Sequence, residues 1–431
     1  MRILVVGGGG REHALCWALK RDTPDATVFA APGNPGTAQV GSNLTIDVVE
    51  VGTVVEAVKE HRIDLTIIGP EAPLAAGLAD ALRAAGRPVF GPDKAAARIE
   101  SSKAFAKEVM RRAGVPTPAS RTFDALDSAL AYIRHHAEPL VVKASGLAAG
   151  KGAVVCASRD AAARTARAML AEGAFGEAGR EIVVEQFLEG EELSVLALTD
   201  GERIVVLPAA QDHKRLGEGD AGPNTGGMGA YCPVGIATPA LLERVRREVL
   251  EPTLRELAAR GARYSGVLYA GLMVSDDGTP YVLEFNCRFG DPETQALLPT
   301  LPGLTRHLVE IATGGWRPDR STLDATRAAV ATVLAAAGYP DKPERGAAIS
   351  VPRDVEPGTL VFHAGTYRDP DGTLRVHGGR VLTVTGLGDT VAEAARRSAD
   401  ACELIVFQGK TYRRDIGWRE IRRSGAGAAR G

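Results

Sequence analysis

The sequence predicts an α/β protein: an N-terminal doubly wound parallel sheet, a middle section carrying a small α+β lid, and a C-terminal α+β domain. Three patterns carry that expectation. Residues 2–6 (Arg-Ile-Leu-Val-Val) carry a run that is apolar from Ile3 onward and ends in Gly7–Gly10, as a strand buried on both faces does. Strand-like and helix-like runs then alternate over the first ~90 residues, which implies right-handed βαβ units on one parallel sheet. Beyond residue 140 the pattern changes to β runs joined by glycine loops, and a last α+β segment starts near 327.

In chain order, 11–20 reads as a helix and 27–30 as a strand. A helix at 52–61 leads to a strand at 64–68, and an Ala-rich helix at 74–85 leads to a strand at 88–90. A helix at 101–113 is closed by Gly114 and Pro116. Strands at 140–143 and 153–157 flank a loop of small residues, 144–152, which reads as a cover that orders over its ligand. A helix near 160–172 and a strand at 181–187 complete the lid. Longer β runs follow at 192–206, 264–274 and 280–286, the last two joined by the hairpin turn Asp276-Asp277-Gly278. The final segment has β runs at 328–336, 359–365 and 379–385 and a helix at 390–402. Residues 424–431 read as a frayed tail.

The 431-residue length fits two to four domains at ~150 residues each. A net charge of -2 argues against a protein built to grip nucleic acid. The five cysteines (16, 156, 232, 287, 402) are scattered, with no CxxC pair, which disfavours a disulfide framework or zinc site and favours a reducing compartment. No run approaches a signal peptide or a membrane span, so no membrane role is expected and the chain reads as cytoplasmic.

Five clusters carry chemistry. The first, Gly7-Gly8-Gly9-Gly10-Arg11-Glu12-His13, is a strand-to-helix turn whose N–H groups suit an anion. A dinucleotide fingerprint would need glycine where Glu12 stands, so an NAD enzyme is disfavoured. Two further loops leave the same sheet edge, one with Gly33, Asn34, Gly36 and Thr37, the other with Glu71. Converging in one crevice, these residues suit a sugar phosphate, with Glu71 on a hydroxyl or amine; each loop alone could be a plain turn. The second cluster runs from Lys143 to Gly152 through Gly150 and Lys151. It resembles a phosphate-covering loop, and Gly152 rules out a Walker A motif. Lysine is scarce (10 against 41 arginines), yet Lys103, Lys143, Lys151 and Lys214 all lie in or near such segments.

The third cluster spans Glu185 to Glu192. An extended hinge there can offer backbone groups to an adenine edge, and Glu192 could hold ribose hydroxyls; a charged turn is the plain alternative. The fourth and most specific is 283–293. Glu284 and Asn286 share one strand face and are hard ligands suited to Mg²⁺, and Arg288 continues that face toward a phosphate or carboxylate. In the fifth, 211–229, Asp212 could receive an ammonium group, while His213 has an ordinary loop histidine as its alternative. No nucleophile elbow appears, so covalent catalysis is not the reading.

GGREHAL, APGNPGT, GPEAPL, SSKAF, KASGLAAGKG, QDHKR, GPNTGGMGAY, EFNCRFGDPETQ, FHAGT and DIGWR occur in this order across nearly the whole chain. In that set the sequence resembles the phosphoribosylamine–glycine ligase (glycinamide ribonucleotide synthetase) family of purine biosynthesis, within the ATP-grasp superfamily. The resemblance implies three domains, 1–100, 101–325 (ATP-grasp, lid about 120–188) and 326–425, with a flexible tail at 426–431. It implies a ligase that joins glycine to 5-phosphoribosylamine with ATP as co-substrate and Mg²⁺ or Mn²⁺ as cofactor, through glycyl phosphate. It further implies that Lys103 and Lys143 hold ATP phosphates beneath the loop with Gly150, Lys151 and Gly152. Glu185, Leu188 and Glu192 would hold the nucleoside, and Glu284 and Asn286 the metal. Arg288, Lys143 and Asp212 would carry the chemistry, with Lys214 beside the substrates. Gly9, Gly10, Arg11, Glu12, Asn34, Gly36, Thr37 and Glu71 would bind phosphoribosylamine in a crevice apart from the ATP motifs. Partners would be small molecules, with room for transient contact with neighbouring enzymes of purine synthesis. The family usually has Asp at Ser145 and Asn or Ser at Gly8. Two other readings stay open: an ATP-grasp ligase or carboxylase with a different acceptor, and a nucleotide-binding regulatory module without turnover.

Overall fold

The computed structural model describes residues 1–148 and 150–428. Its N-terminal sheet is parallel and five-stranded, in the spatial order Ser42–Asn43, Thr27–Pro32, Arg2–Gly7, Leu65–Ile68, Val89–Phe90. The first strand is buried on both faces. Ile3 and Val5 join a core with Leu15 and Leu19 of helix Gly10–Asp22, while Leu4 and Val6 join another with Val54 and Val58 of helix Val51–Glu60. Two covered faces explain an apolar run without alternation. The single helix expected at 74–85 is two, Glu71–Ala76 and Leu78–Ala84, because Gly77 takes the left-handed conformation at φ 93° and ends the first.

The lid is a four-stranded antiparallel sheet in the order Ser120–Phe123, Ile182–Gln186, Leu140–Ala144, Ala153–Cys156, and helices Leu126–Arg134 and Arg159–Leu170 share its separate core. Below it lies a second antiparallel sheet, Ile204–Val206, Glu191–Thr199, Gly266–Val274, Pro280–Asn286. The β run expected at 192–206 is therefore a hairpin, turned where the Asp200 carboxylate accepts the backbone N–H groups of Glu202 and Arg203. These elements form the middle domain.

The C-terminal sheet is built from Gln211–Asp212, Gly229–Cys232, Ala328–Ala335, Arg380–Gly388 and Thr359–His363. Its first two strands come from a segment expected to belong wholly to the middle domain. They are too short to show a period of two, and only the pairing of Gln211–Asp212 with Gly229–Cys232, and of that strand with Ala328–Ala335, makes them strands. Several helices were not expected from the sequence: Lys94–Ser101, the nearly continuous stretch 239–259, Glu293–Thr300 and Leu304–Thr313. The last helix, Trp418–Ala428, runs through much of the segment expected to fray, and 429–431 lie outside the described residues. All five cysteines are free and buried. Among the described residues no helix is long and apolar enough to cross a membrane.

The C-terminal segment is pinned to the middle of the chain by a buried cation. The Arg413 side chain is fully buried and pairs with Asp220 and Asp415 at 2.8 Å each, while Arg419 reaches Asp220 at 2.6 Å. Removing one partner of a buried pair strands the others. Arg413→Ala should therefore lower stability by about 3 kcal/mol, the lower end for a broken buried pair because both carboxylates keep some water. A urea unfolding midpoint equal to that of the parent would show that these carboxylates do not depend on Arg413.

Candidate active site

Three glycine loops leave the C-terminal edge of the parallel sheet, but most of their polar groups bind one another. Glu12 caps its own helix: Oε2 accepts the N–H of Gly9 at 2.7 Å and Oε1 the Arg11 Nε at 2.5 Å. A Cβ on Gly7 (φ 123°) would meet the Glu12 Cγ at 2.5 Å, so the turn needs glycine there. Asn34 Oδ1 accepts the N–H groups of Gly36 and Thr37 (2.8 and 3.1 Å), and its Nδ2 donates to the carbonyls of Gly8 and His363 (3.0 and 2.9 Å). Thr37 Oγ1 accepts the Asn34 N–H at 2.7 Å. Gly9, Gly10, Glu12, Asn34, Gly36 and Thr37 thus shape the loops and do not line the main cavity, whereas Arg11 and Glu71 do. A Cβ on Gly8 would sit 2.7 Å from the Gly33 carbonyl, so a side chain there would require the second loop to shift.

That cavity, ≈ 470 Å³, is continuous from Arg11 and Glu71 to Lys103, Lys143 and Leu188. The sugar-phosphate and ATP crevices expected to be separate are one cleft. The reason lies in Arg288. Its Nη2 donates to Asn286 Oδ1 at 3.0 Å and pairs with Glu100 at 2.7 Å, and its Nε faces Glu71 at 3.5 Å. Burial alone would lower its basicity, but Glu100 and then Glu71 outweigh that and raise it. The same contact holds Glu71 below the usual carboxylate range against the effect of burial.

One end of the cleft is apolar, with Met110, Val141, Val155, Leu188 and Met273 in its lining, as suits a purine face. Beside it stand the lysines. Lys103 follows the Ser102 N-cap of helix Lys103–Ala113, and its ammonium has no hydrogen bond or ion pair among the described residues. Burial, opposed first by Glu284, keeps its pKa below the usual lysine value. Lys143 donates to the Leu283 carbonyl at 3.0 Å and pairs with Glu185, which also meets Lys107 at 2.6 Å. Glu185 is 1% exposed. Burial would raise its carboxyl, but Lys143 and Lys107 outweigh that and lower it. Glu185 therefore fixes Lys143 as well as lining the cleft. Ser145 steadies the same junction, since its Oγ accepts the Ala104 N–H at 3.2 Å and its carbonyl the Lys103 N–H at 2.8 Å.

On strand Pro280–Asn286, Glu284 lies opposite Gly271 and lines the cleft without a hydrogen bond or ion pair among the described residues. Burial would raise its pKa, but Lys214, Lys103, Lys143 and Arg288 together lower it. A free carboxylate two residues from the Asn286 amide oxygen is a donor set that fits a hard divalent cation, with phosphate and water completing the shell. Asp212 also lines the cleft. Burial lifts its carboxyl to about 7, with Lys214 opposing and Glu293, Glu192 and Glu284 adding to the rise. Lys214 is itself paired with Glu192.

The C-terminal domain completes the rim. Arg380 donates to the carbonyls of Gly226 and Asp291 (2.6 Å each) and pairs with Asp291 at 3.3 Å. Tyr339 Oη accepts the Gly226 N–H at 3.0 Å, and Lys151 turns away from the cavity to donate to the Pro340 carbonyl at 2.8 Å. Gly150 and Gly152 line the cleft; Ala149, within the covering loop, lies outside the described residues. Sequence reasoning missed Glu100, Lys107, Tyr269 and Arg380. Lys107 alone left a trace, as one more of the scarce lysines.

Family models described as the N domain, the ATP-grasp (A) domain and the C domain of phosphoribosylglycinamide synthetase match residues 1–100, 101–294 and 329–419. The chain belongs to the phosphoribosylglycinamide synthetase family. It is 46% identical to the phosphoribosylamine–glycine ligase of Vibrio parahaemolyticus over 98% of this chain and 99% of that one. It is 47% identical to the enzyme of that name from Ralstonia nicotianae, over 98% and 100%. The crystal structure of phosphoribosylamine–glycine ligase from Thermotoga maritima superposes with a TM-score of 0.84 at 36% identity, covering 96% of this chain and 100% of that one. The biotin carboxylase domain of Hydrogenobacter thermophilus 2-oxoglutarate carboxylase, solved with MgADP, shares the fold at 16% identity and a TM-score of 0.72, over 95% and 91% of the two chains.

The free carboxylate of Glu284 generates a prediction. Glu284→Gln keeps the shape and removes a charge from the donor pair. ATP turnover should fall ~10²-fold, about 2.7 kcal/mol, and more than ATP affinity does, with partial recovery at high Mg²⁺ or with Mn²⁺. Near-normal turnover at limiting Mg²⁺ would place the metal on Asp291 or Glu293 instead.

Proposed function

We propose that this chain ligates glycine to 5-phosphoribosylamine at the expense of ATP, giving glycinamide ribonucleotide, ADP and phosphate. The observation that carries the proposal is the single cleft. An apolar pocket, a free lysine ammonium, a free carboxylate and the Arg288 guanidinium all open onto the space that Arg11 and Glu71 border. A carboxylate oxygen of glycine attacks the γ-phosphorus and ADP leaves. The amine of phosphoribosylamine then attacks the carbonyl carbon of glycyl phosphate, phosphate leaves, and the amine gives up a proton. A free carboxylate is a poor acylating agent, and phosphorylation supplies its leaving group.

Most of the catalysis in such a transfer is positioning and charge neutralisation. Lys103 and Lys143 hold the phosphates, and Arg288 faces phosphate or the glycine carboxylate. Glu192, Leu188 and the 186–188 backbone hold the nucleoside. Glu284 and Asn286 are the residues that would hold Mg²⁺ or Mn²⁺, whose charge would offset that of the triphosphate. The loop through Gly150 and Gly152 shuts out water, which glycyl phosphate would not survive. Phosphoribosylamine occupies the Arg11–Glu71 end. The same reading puts the protein in the cytoplasm, where its substrates are made and five free thiols stay reduced.

Incubation with ATP, Mg²⁺, glycine and freshly generated phosphoribosylamine should yield the mass of glycinamide ribonucleotide, and omission of any one substrate should abolish it. A product carrying another acid would overturn the glycine assignment. Glu71→Ala should weaken use of phosphoribosylamine by roughly 10- to 150-fold, the worth of a lost hydrogen bond to a charged group (~1.5–3 kcal/mol), and spare ATP. Lost ATP binding with an unchanged constant for the amine would reverse the assigned ends of the cleft.

A further inference from the structure

We propose that Gln211, oriented by Tyr231, positions Glu192 in the cleft, so that the C-terminal sheet sets how strictly a ribonucleotide is selected over a deoxyribonucleotide. The inference rests on the reading that Glu192 holds the ribose, and it adds the residues outside the cleft that fix this carboxylate.

Glu192 stands near the start of strand Glu191–Thr199, opposite Met273 of strand Gly266–Val274. On its other side strand Ile204–Val206 covers only Ala197–Thr199. Beyond that, Ser194 and Ala210 form a single bridge, exchanging two backbone hydrogen bonds of 2.8 and 3.0 Å. In an antiparallel ladder every second residue turns its N–H and C=O to the same side. After Ser194 the next such residue is Glu192, and no strand meets it there. The Gln211 side chain does, for its Nε2 donates to the Glu192 carbonyl at 2.6 Å. Gln211 is buried, and both ends of its amide are used, since Oε1 accepts the Tyr231 hydroxyl at 2.5 Å. Tyr231 lies directly opposite Gln211 in the C-terminal sheet. Burial, reinforced by Glu420, holds the phenol protonated, so it stays a donor. A carbonyl can only accept, so the amide has one orientation, nitrogen toward Glu192 and oxygen toward Tyr231.

The preceding residue is held from the other face. Successive side chains on a strand point to opposite faces. Glu192 lines the cleft and pairs with Lys214, whereas Glu191 meets Arg423, whose Nη2 donates to its two carboxylate oxygens at 3.1 and 2.9 Å. Arg423 belongs to the last helix, Trp418–Ala428, and also pairs with Glu420. Glu420 in turn accepts the Gly235 N–H at 2.7 Å, just beyond the strand that carries Tyr231. Gln211, Tyr231, Glu191 and Arg423 do not line the cleft, so their effect on a ligand passes through Glu192. Glu192 is only half-buried, and a side chain so placed is positioned by its backbone. A site built to bond a hydroxyl rejects the analogue that lacks it, provided the acceptor is held in place.

The test measures kcat/KM for ADP release with ATP, 2′-deoxy-ATP and 3′-deoxy-ATP. The parent should favour ATP over at least one deoxy analogue. Gln211→Met keeps the length and removes the donor. The preference for ATP should fall about tenfold, through a higher KM for ATP, with the KM for glycine unchanged. Tyr231→Phe removes only the hydroxyl that orients the amide and should shift the preference less. Arg423→Met, at a half-buried position, should also shift it less, and it serves if neither buried variant folds. A purely structural role would slow all three nucleotides alike, so an unchanged preference in the folded variants would overturn the positioning role and leave Glu192 on the ribose. A parent that uses the three nucleotides equally would remove Glu192 from the ribose and sink both, while the ligase reaction would stand.

Discussion

The constraint on which the rest of the structure depends is charge balance around Arg288. A guanidinium in a buried cleft must meet acceptors, and the two carboxylates and one amide it meets come from three different parts of the chain. Glu71 begins a helix of the N-terminal domain, Glu100 lies on the helix leading out of that domain, and Asn286 ends a strand of the ATP-grasp sheet. Glu100 also accepts the Cys287 N–H at 2.9 Å, which locks the strand end to the helix. The N-terminal and ATP-grasp domains are therefore registered against each other at the point where two substrates must meet. Positioning two reactants in one frame is worth more to an acyl transfer than any single acid or base.

The C-terminal domain extends this frame. Arg380 gathers the carbonyls of Gly226 and Asp291, and Asp291 in turn accepts Gln295 Nε2 at 2.7 Å. The His363 carbonyl receives Asn34 and its N–H donates to His13 Nδ1 at 2.8 Å, so the glycine loops of the parallel sheet are braced from the same side. Burial lowers both histidines, to about 3 for His13 and about 4 for His363, so the pair stays neutral and can share hydrogen bonds without repulsion. Lys151 reaches the carbonyl of Pro340, so its segment of the cleft wall rests on this domain. The domain contributes contacts to the rim, and its two borrowed strands make it inseparable from the middle of the chain.

How much of this was legible in the sequence follows from the range of each interaction. Buried parallel strands announce themselves because both faces are covered, and Arg2–Gly7 is read from composition alone. Glu284 and Asn286 share a face because strand periodicity is two, which holds wherever the strand is. The residues that failed to show themselves act across long sequence separations. Arg380 is meaningful only beside Gly226 and Asp291, Glu100 only beside Arg288, and no local pattern encodes either pairing. Asn34 and Thr37 are ambiguous for the opposite reason. Their types suit a ligand as well as a loop, and only the folded geometry shows that their polar atoms are already used by Gly36, Gly8 and His363. The two crevices merged because the sheet argument places each loop relative to its own sheet and says nothing about the domain facing it.

The groups left unpaired are as informative as those that are paired. Stability alone would match Lys103 with Glu284, since each is half-buried and each already biases the other. They stay apart, and both remain open to the cleft. Keeping opposite charges separated costs folding free energy that the rest of the fold must offset, and it leaves the site arranged for the charge distribution of its ligands. A triphosphate meeting Lys103, with a cation meeting Glu284, neutralises both without moving either. Ligands that restore neutrality in this way bind the folded state and not the unfolded one, so nucleotide with metal should stabilise the fold by mass action. The same logic separates roles within the cleft. Glu185 and Glu100, saturated by protein cations, hold the frame, whereas Lys103, Glu284 and Asp212 face the cleft with charge that substrates must answer.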